Sequence, residues 1–301
     1  MHYKKSLGLF ALASSLLIAA CGSNTATSPA AGSAATTAAA DTESMPNMEH
    51  STTTTGDTMQ MGPNDTMAMD HGAPAAGLRL DVATTTFEST KSSDLSFAVV
   101  TRDGSTVNSY QVEQTKELHL VLVRSDLTGY QHVHPTRGAD GTWTIPVTFS
   151  KGGSYRMVAD FVPVIDGTAT GRTSITADLM VSGAGSDTPL PPPSSTAKVD
   201  GYSVQLDGDL TSASESQLTY TIVDGGGQAV MLEPYLGAYG HLVAFSKADL
   251  AYTHIHPDSA EQANGVVHFV GQVASAGPHR LFLQFAAAGA VHTAEFTVNA
   301  T

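Results

Sequence analysis

The chain contains one long pattern twice, and this duplication limits its possible folds more than any other feature of the sequence. Each copy begins with a histidine, and 13 residues later it has a histidine pair with one residue between and a proline after it. A Gly-x-x-Arg segment that ends in phenylalanine follows in both copies, at residues 153–161 and 277–285. The six histidines are His119, His132 and His134 in the first copy and His241, His254 and His256 in the second. Such a long repeat predicts two similar domains in tandem rather than a solenoid.

Both copies are divided into short runs of alternating or β-branched residues by Gly, Asp and Ser turns, and no helical period of useful length is present. The runs include residues 95–101, 118–123, 142–149 and 155–162 in the first copy, and 217–223, 241–245, 266–273 and 280–285 in the second. Many short strands in a domain of this size are typical of a sandwich. The sequence therefore predicts an all-β protein with two tandem immunoglobulin-like antiparallel β-sandwiches.

Two changes in composition mark the domain boundaries. Residues 21–77 are rich in Thr, Ala, Ser, Gly and Pro, and such a segment buries too little apolar surface to fold, so we expect a disordered tether. Residues 182–198 contain four prolines within five residues and are interpreted as a Pro-rich linker. These breaks predict β-sandwich domains over residues 78–181 and 199–301.

The N-terminus has the features of an export signal. Lys4 and Lys5 precede an apolar run over residues 7–20 that is short for a membrane span. The run ends in small residues before Cys21 and resembles the lipobox of bacterial lipoproteins. The resemblance implies removal of residues 1–20, lipid attachment to Cys21, and an extracytoplasmic protein anchored to a bacterial membrane, in the periplasm or at the outer surface. The alternative is a plain secretory signal with an unrelated cysteine.

Charge and cysteine content exclude several classes of function. The formal net charge is −14, which argues against nucleic acid as a partner, because binding of a phosphate backbone needs a basic face. Cys21 is the only cysteine, so the folded part can hold no disulfide, cysteine-ligated zinc, iron–sulfur cluster or blue-copper centre. No G-x-S-x-G, HExxH or nucleotide-binding motif is present, and we expect no enzymatic activity.

The spacing of the first three histidines predicts a metal site on a β-hairpin. A turn centred between Asp126 and Leu127 places His119 opposite His134. His132 lies two residues from His134 and therefore shares its face of the strand. Side chains paired in this way are about 5 Å apart, so three imidazoles could bind one copper or zinc ion, with copper preferred.

The second copy predicts an equivalent site, in which His241 lies opposite His256 with His254 alongside. Two sites are thus expected, one in each domain. The alternative is that these histidines are structural, or that they form a pH-sensing or partner-binding surface. Asp126 and Asp249 could orient a histidine ring, or they could simply stabilise the hairpin turns.

The tether has a second metal-binding signal, since six of the ten methionines lie between residues 45 and 69. Thioethers are soft ligands for Cu(I), and methionine has no packing role in a solvated segment. The clusters resemble the methionine- and histidine-rich stretches of bacterial periplasmic copper-resistance proteins. Low-complexity drift and sacrificial oxidation are the alternatives. The candidate ligands are Met45, Met48, His50, Met59, Met61, Met67, Met69 and His71.

The H-L-V…D-L…H-x-H-P hairpin and the G-x-x-R…F segment, present in both copies, resemble the immunoglobulin-like modules of exported bacterial proteins of the YtkA-like type. This resemblance implies a fold and a compartment more than an activity. We therefore predict a lipid-anchored extracytoplasmic protein that binds or buffers copper and could deliver it to a copper transporter or cuproprotein. The alternative is a metal-free envelope module that contacts other proteins.

Overall fold

A computed structural model of the chain describes residues 77–258 and 264–301, and every regular element in these ranges is a β-strand. The described residues all lie in one compact unit, which contains both repeats. The predicted signal peptide, Cys21 and the methionine- and histidine-rich segment lie outside the described residues.

Domain 1 packs a four-stranded sheet, in the order β1-β3-β8-β7, against a second sheet in the order β2-β11-β9-β5-β6. Strands β4 and β10 also pair with β9. The pairings are antiparallel except that of β2 with β11, which is parallel. The strands are β1 Arg79–Val82, β2 Thr86–Glu88, β3 Ser92–Val100, β4 Tyr110–Gln111, β5 Leu118–Arg124, β6 Gln131–Val133, β7 Thr136–Arg137, β8 Trp143–Thr148, β9 Gly153–Ile165, β10 Thr168–Ala169 and β11 Thr173–Ser182.

Domain 2 has the strand order β12-β13-β14-β17-β16-β15-β18-β19. Strand β16 pairs with both β15 and β17 and so joins the two layers, whose facing side chains include Tyr220 and Phe296 with ring centroids 5.4 Å apart. The prediction of two tandem β-sandwiches is confirmed. The strands are β12 Thr196–Val199, β13 Tyr202–Asp207, β14 Ser216–Val223, β15 His241–Ser246, β16 Tyr252–Pro257, β17 Val266–Gly271, β18 Gly277–Ala287 and β19 Ala290–Ala300.

The structure has the predicted hairpin register in both domains. Val121 pairs with His132 between β5 and β6, and Val243 pairs with His254 between β15 and β16. In the first turn the Asp126 carboxylate accepts a hydrogen bond from the Thr128 backbone N–H, 3.1 Å away. Asp249 accepts one from the backbone of Ala251 in the second turn, also at 3.1 Å. Both aspartates therefore stabilise turns, and among the described residues neither hydrogen-bonds to a histidine ring.

The outer faces of β5 and β15 pack against each other and form an apolar interface between the domains. Tyr130 of domain 1 stacks on Phe282 of domain 2, with ring centroids 4.1 Å apart and planes 7° from parallel. Leu190 of the linker also packs there, and the Thr188 backbone N–H donates to Asp126 at 2.8 Å. The buried members of the interface are Val121, Val123, Leu127, Val158, Val243, Phe245 and Phe282. Their strands are buried on both faces, since alternate residues face the core of their own sandwich.

Candidate metal centre between the two domains

The domain interface brings all six predicted histidines into one cluster, which differs from the expectation of two separate sites. His119 and His241 lie two residues before Val121 and Val243, so they occupy the face of each strand that meets the other domain. The rings of His132 and His241 have centroids 4.4 Å apart across the interface. Those of His119 and His241 are 5.7 Å apart. We call His119, His132 and His134 the first triad, and His241, His254 and His256 the second triad.

The hydrogen bonds of the first triad fix which nitrogens carry protons. His132 Nδ1 donates to the Gln284 side-chain oxygen at 2.7 Å, which leaves a lone pair on Nε2 in the neutral ring. His119 Nε2 donates to the backbone carbonyl of Glu113 at 3.1 Å, which leaves a lone pair on Nδ1. These two lone pairs face each other, with the nitrogens 3.1 Å apart. His134 Nε2 lies 3.3 Å from the same His119 nitrogen.

The first triad has the spacing of a metal site. Nitrogens at two corners of a tetrahedral site with ~2.0 Å bonds are ~3.3 Å apart, which matches the observed separations. The ring centroids of this triad lie 4.8–5.3 Å apart, as expected for imidazoles that share one ion. One nitrogen from each ring can be chosen such that all three lie within 4.8 Å of one another. Two facing lone pairs repel each other unless a cation lies between them.

Burial keeps the first triad in the form that binds metals. Desolvation lowers the pKa of His132 to about 3, and the neighbouring histidines add to the effect. Desolvation likewise lowers the pKa of His134 to about 4, and it lowers the pKa of His119 below its usual value. These rings are therefore neutral at physiological pH, and their unprotonated nitrogens are free to act as ligands.

The second triad contains buried nitrogens that lack partners. Neither nitrogen of His241, nor Nε2 of His254, has a hydrogen-bond partner within the described part of the chain. His254 Nδ1 lies 2.8 Å from the Asp160 carboxylate, to which it donates, and 3.0 Å from Arg172 Nη1. The ring centroid of His254 lies 4.3 Å from that of His241 and 4.8 Å from that of His256. His256 is exposed at the edge of the cluster. Burial holds the pKa of His241 and of His254 well below the ordinary value.

Two residues that sequence reasoning missed hold the cluster together across the interface. Asp160 pairs with His119 in its own sheet and accepts the hydrogen bond of His254 from the other domain. Gln284 pairs with His241 and accepts the hydrogen bond of His132. The two occupy equivalent positions of the repeat, each one residue before the phenylalanine of the Gly-x-x-Arg segment. A polar residue at the same place in two apolar strands was the available signal.

The histidines of domain 2 outside the second triad make their hydrogen bonds away from this cluster. Three further histidines of domain 2 bond elsewhere: His268 to the Thr219 hydroxyl at 2.9 Å, His279 to the Gly277 carbonyl at 3.0 Å, and His292 to Asp200 at 2.8 Å. In the described ranges no helix is long and apolar enough to cross a membrane. The lipidation candidate and the tether candidates lie outside the described residues: Cys21, Met45, Met48, His50, Met59, Met61, Met67, Met69 and His71.

Comparison with known proteins places both repeats in one family. The profile of a domain of unknown function, DUF8832, matches residues 73–177 and again residues 197–301. The YtkA-like resemblance holds only at the coarser level of tandem immunoglobulin-like domains. No curated protein matches the chain.

Similar solved structures include two bacterial adhesins and a set of fibronectin(III)-like modules. The Escherichia coli adhesin FdeC is 17% identical with a TM-score of 0.24, over 74% of this chain and 64% of that one. The Yersinia pseudotuberculosis adhesin InvE is 14% identical with a TM-score of 0.22, over 73% and 58%. The fibronectin(III)-like modules of Clostridium thermocellum CbhA are 15% identical with a TM-score of 0.21, over 74% and 92%. The chain thus spans less than two thirds of either adhesin structure, and likeness at this level carries no argument about function.

Proposed function

The chain belongs to the DUF8832 family, whose domain it carries twice, and we propose that it is a non-catalytic metal-binding protein of the bacterial envelope that holds copper at the first triad. One observation carries the proposal. The lone pairs of His119 Nδ1 and His132 Nε2 face each other at 3.1 Å in a buried site. Both rings are fixed in this state by hydrogen bonds on their opposite nitrogens. A bound cation removes the repulsion and uses both lone pairs.

The chemistry of the ligands favours a late transition metal. Three neutral imidazoles suit copper and zinc, whereas magnesium and calcium prefer oxygen ligands. Among divalent first-row ions, copper binds a given nitrogen site most tightly. Copper is therefore the proposed ion, and zinc is the comparison ion.

The remainder of the proposed function comes from the sequence outside the described residues. A lipid on Cys21 would anchor the protein to the outer face of a bacterial membrane. The methionine and histidine clusters over residues 45–71 would bind Cu(I) and supply it to the folded domains or to a copper transporter or cuproprotein. We propose no catalytic step, because nothing in the described site requires one.

The alternative is a metal-free module that contacts other envelope proteins. It is favoured by the hydrogen bonds that four of the six histidines already make within the cluster or to groups beside it. In that case the cluster would hold the two domains together, as the apolar interface does, and the sandwiches would offer their outer surfaces to a partner.

A binding experiment separates the two functions. The mature chain, purified without an affinity tag or chelator, is titrated with Cu(II) and Zn(II) against a chromophoric competitor, and its thermal unfolding is followed with and without each metal. At a metal concentration of about 100 times Kd, binding to the folded state should add about 2.7 kcal/mol to the free energy of unfolding and raise Tm.

His132→Ala should remove the part of this shift that comes from the first triad, because two remaining imidazoles hold an ion far less tightly. The matched control is His268→Ala, since His268 also lies in a strand but hydrogen-bonds to Thr219 away from the cluster. It should keep the full shift. A wild-type protein whose Tm does not respond to either metal would refute the proposal and leave the contact module.

A further inference from the structure

We infer that the second triad is a second metal position, so that the cluster holds two ions side by side, each bound mainly by the histidines of one domain. This inference rests on the proposed function of the first triad. It adds that the metal centre is dinuclear and lies in the interface between the repeats, where neither domain alone could complete it.

The first support is the set of unpartnered nitrogens in the second triad. His241 is 1% exposed, and neither of its ring nitrogens has a partner among residues 77–258 and 264–301. His254 Nε2 is also buried and has no hydrogen-bond partner among these residues. A buried nitrogen without a partner is destabilising, and folded proteins seldom keep several together without a ligand. A metal ion that accepts one lone pair from His241 and one from His254 satisfies one unpartnered nitrogen in each ring.

The second support is the way in which His254 is oriented. Its Nδ1 lies 2.8 Å from the Asp160 carboxylate, which can only accept, and 3.0 Å from Arg172 Nη1, which can only donate. The shorter contact assigns the proton to Nδ1 and leaves the lone pair on Nε2, the nitrogen without a partner. The same Asp160 oxygen accepts hydrogen bonds from Arg172 at 3.1 Å and from the Tyr252 hydroxyl at 3.0 Å. Metal-binding histidines commonly donate their other ring N–H to a carboxylate, which fixes the ring and makes it a better ligand. Asp160 is thus a positioning residue for the second metal.

The third support is the geometry of the rings. Two imidazoles bound to one ion at ~90–110° have ring centroids ~4.5–5.2 Å apart. The separation of 4.8 Å between His254 and His256 lies within this range, and that of 4.3 Å between His241 and His254 lies just below it. Since His241 is also 4.4 Å from His132 of the first triad, the two positions are immediate neighbours.

Charge also favours a second ion in this half of the cluster. The Asp160 carboxylate is buried, and its Oδ1 has no hydrogen-bond partner within the described residues. Glu113 lies beside it and forms an ion pair with Arg172 at 3.4 Å. Two carboxylates and one guanidinium leave one negative charge next to the second triad, which offsets part of the charge that a second ion brings.

The stoichiometry of metal binding tests the inference. Calorimetric titration with Zn(II), supported by metal analysis after desalting, is carried out on the mature chain and on His254→Ala. Every variant keeps the same tether, so any ions bound there cancel in the comparison. The wild type should bind one equivalent more than His254→Ala, and His254→Ala should keep the equivalent that depends on His132.

Electron paramagnetic resonance of the Cu(II) form gives an independent readout. Two Cu(II) ions in adjacent positions couple magnetically, so the wild type should show less integrated signal than its copper content requires. His254→Ala should restore the signal of an isolated ion. Asp160→Asn keeps the size and the hydrogen-bonding oxygen of the side chain, and it should weaken binding of the second equivalent about 10–100-fold while leaving the first in place.

The possible outcomes distinguish this inference from the proposed function. If the wild type binds one ion, and both His132→Ala and His254→Ala abolish its binding, the two triads share a single ion. The dinuclear centre is then wrong, but the metal-binding function stands. If His254→Ala and Asp160→Asn bind as the wild type does, the second position does not exist. If the wild type binds no metal at the cluster, both proposals fail. Melting of each variant without metal identifies any that has simply not folded.

Discussion

Substitution of Phe282 in domain 2 should lower the free energy of unfolding of domain 1, because it removes an aromatic contact between the domains. Phe282 is fully buried and stacks on Tyr130 with ring centroids 4.1 Å apart. An aromatic pair of this kind contributes about 0.5–1.5 kcal/mol beyond the area that it buries. A double-mutant cycle of Phe282→Leu and Tyr130→Leu should therefore give a coupling energy of about 1 kcal/mol.

The chain provides a probe on one side of the interface. Trp143 is the only tryptophan, and it is 2% exposed in the core of domain 1. Its fluorescence during urea unfolding reports on domain 1, whereas Phe282 lies in domain 2. Because the docked interface adds to the stability of both domains, Phe282→Leu should lower the urea midpoint of the Trp143 transition.

The matched control cycle combines Tyr130→Leu with Phe269→Leu. Phe269 is as deeply buried as Phe282 but lies in the core of domain 2 and not in the interface. The effects of Phe269→Leu and Tyr130→Leu on the free energy of unfolding should be additive within about 0.3–0.5 kcal/mol. A Trp143 midpoint that does not move in Phe282→Leu, or additivity in the Phe282 cycle itself, would show that the interface does not couple the domains.

Four further outcomes are expected. Protons compete with metal for the ring nitrogens, and burial lowers the pKa of His132 to about 3 and that of His134 to about 4. The metal affinity should therefore persist from about pH 7 to about pH 5 and fall near pH 4. Competition titrations in which the affinity falls at about pH 6.5 would contradict this. Arg124→Met leaves the buried Asp126 carboxylate without its cation and should cost about 3–5 kcal/mol in denaturant unfolding, and a loss below 1 kcal/mol would be inconsistent with a buried ion pair. Cys21→Ser should move the protein out of the membrane fraction or leave it uncleaved, so mature membrane-bound mutant would exclude lipid anchoring. A peptide of residues 45–71 should compete for micromolar Cu(I) with a chromophoric chelator, and no competition would remove the tether from copper binding.

Local patterns predicted the hairpins correctly. The repeated Asp-Leu turn fixed the register, which brought His119, His132 and His134 onto one face as expected. The register follows from short-range geometry, because a turn of fixed length determines which residues of the two strands pair.

The docking of the two domains could not be derived in the same way. The apolar runs of β5 and β15 are buried on both faces. A continuous apolar run indicates that both faces of a strand are covered, and this was the signal for a second packing surface. Which surface covers it depends on contacts between residues more than a hundred positions apart, as between Tyr130 and Phe282. The roles of Asp160 and Gln284 follow only from that docking, since each bonds to a histidine of the other domain.

X-ray absorption at the copper edge of the Cu(II)-loaded mature chain tests directly whether the interface histidines bind the metal. The arrangement of the two triads predicts a nearest shell of nitrogen at ~2.0 Å with the outer-shell scattering of about three imidazoles for each copper ion. A spectrum with no imidazole scattering, or with one imidazole or fewer per copper ion, would contradict the proposal that the histidine cluster between the domains is a metal centre.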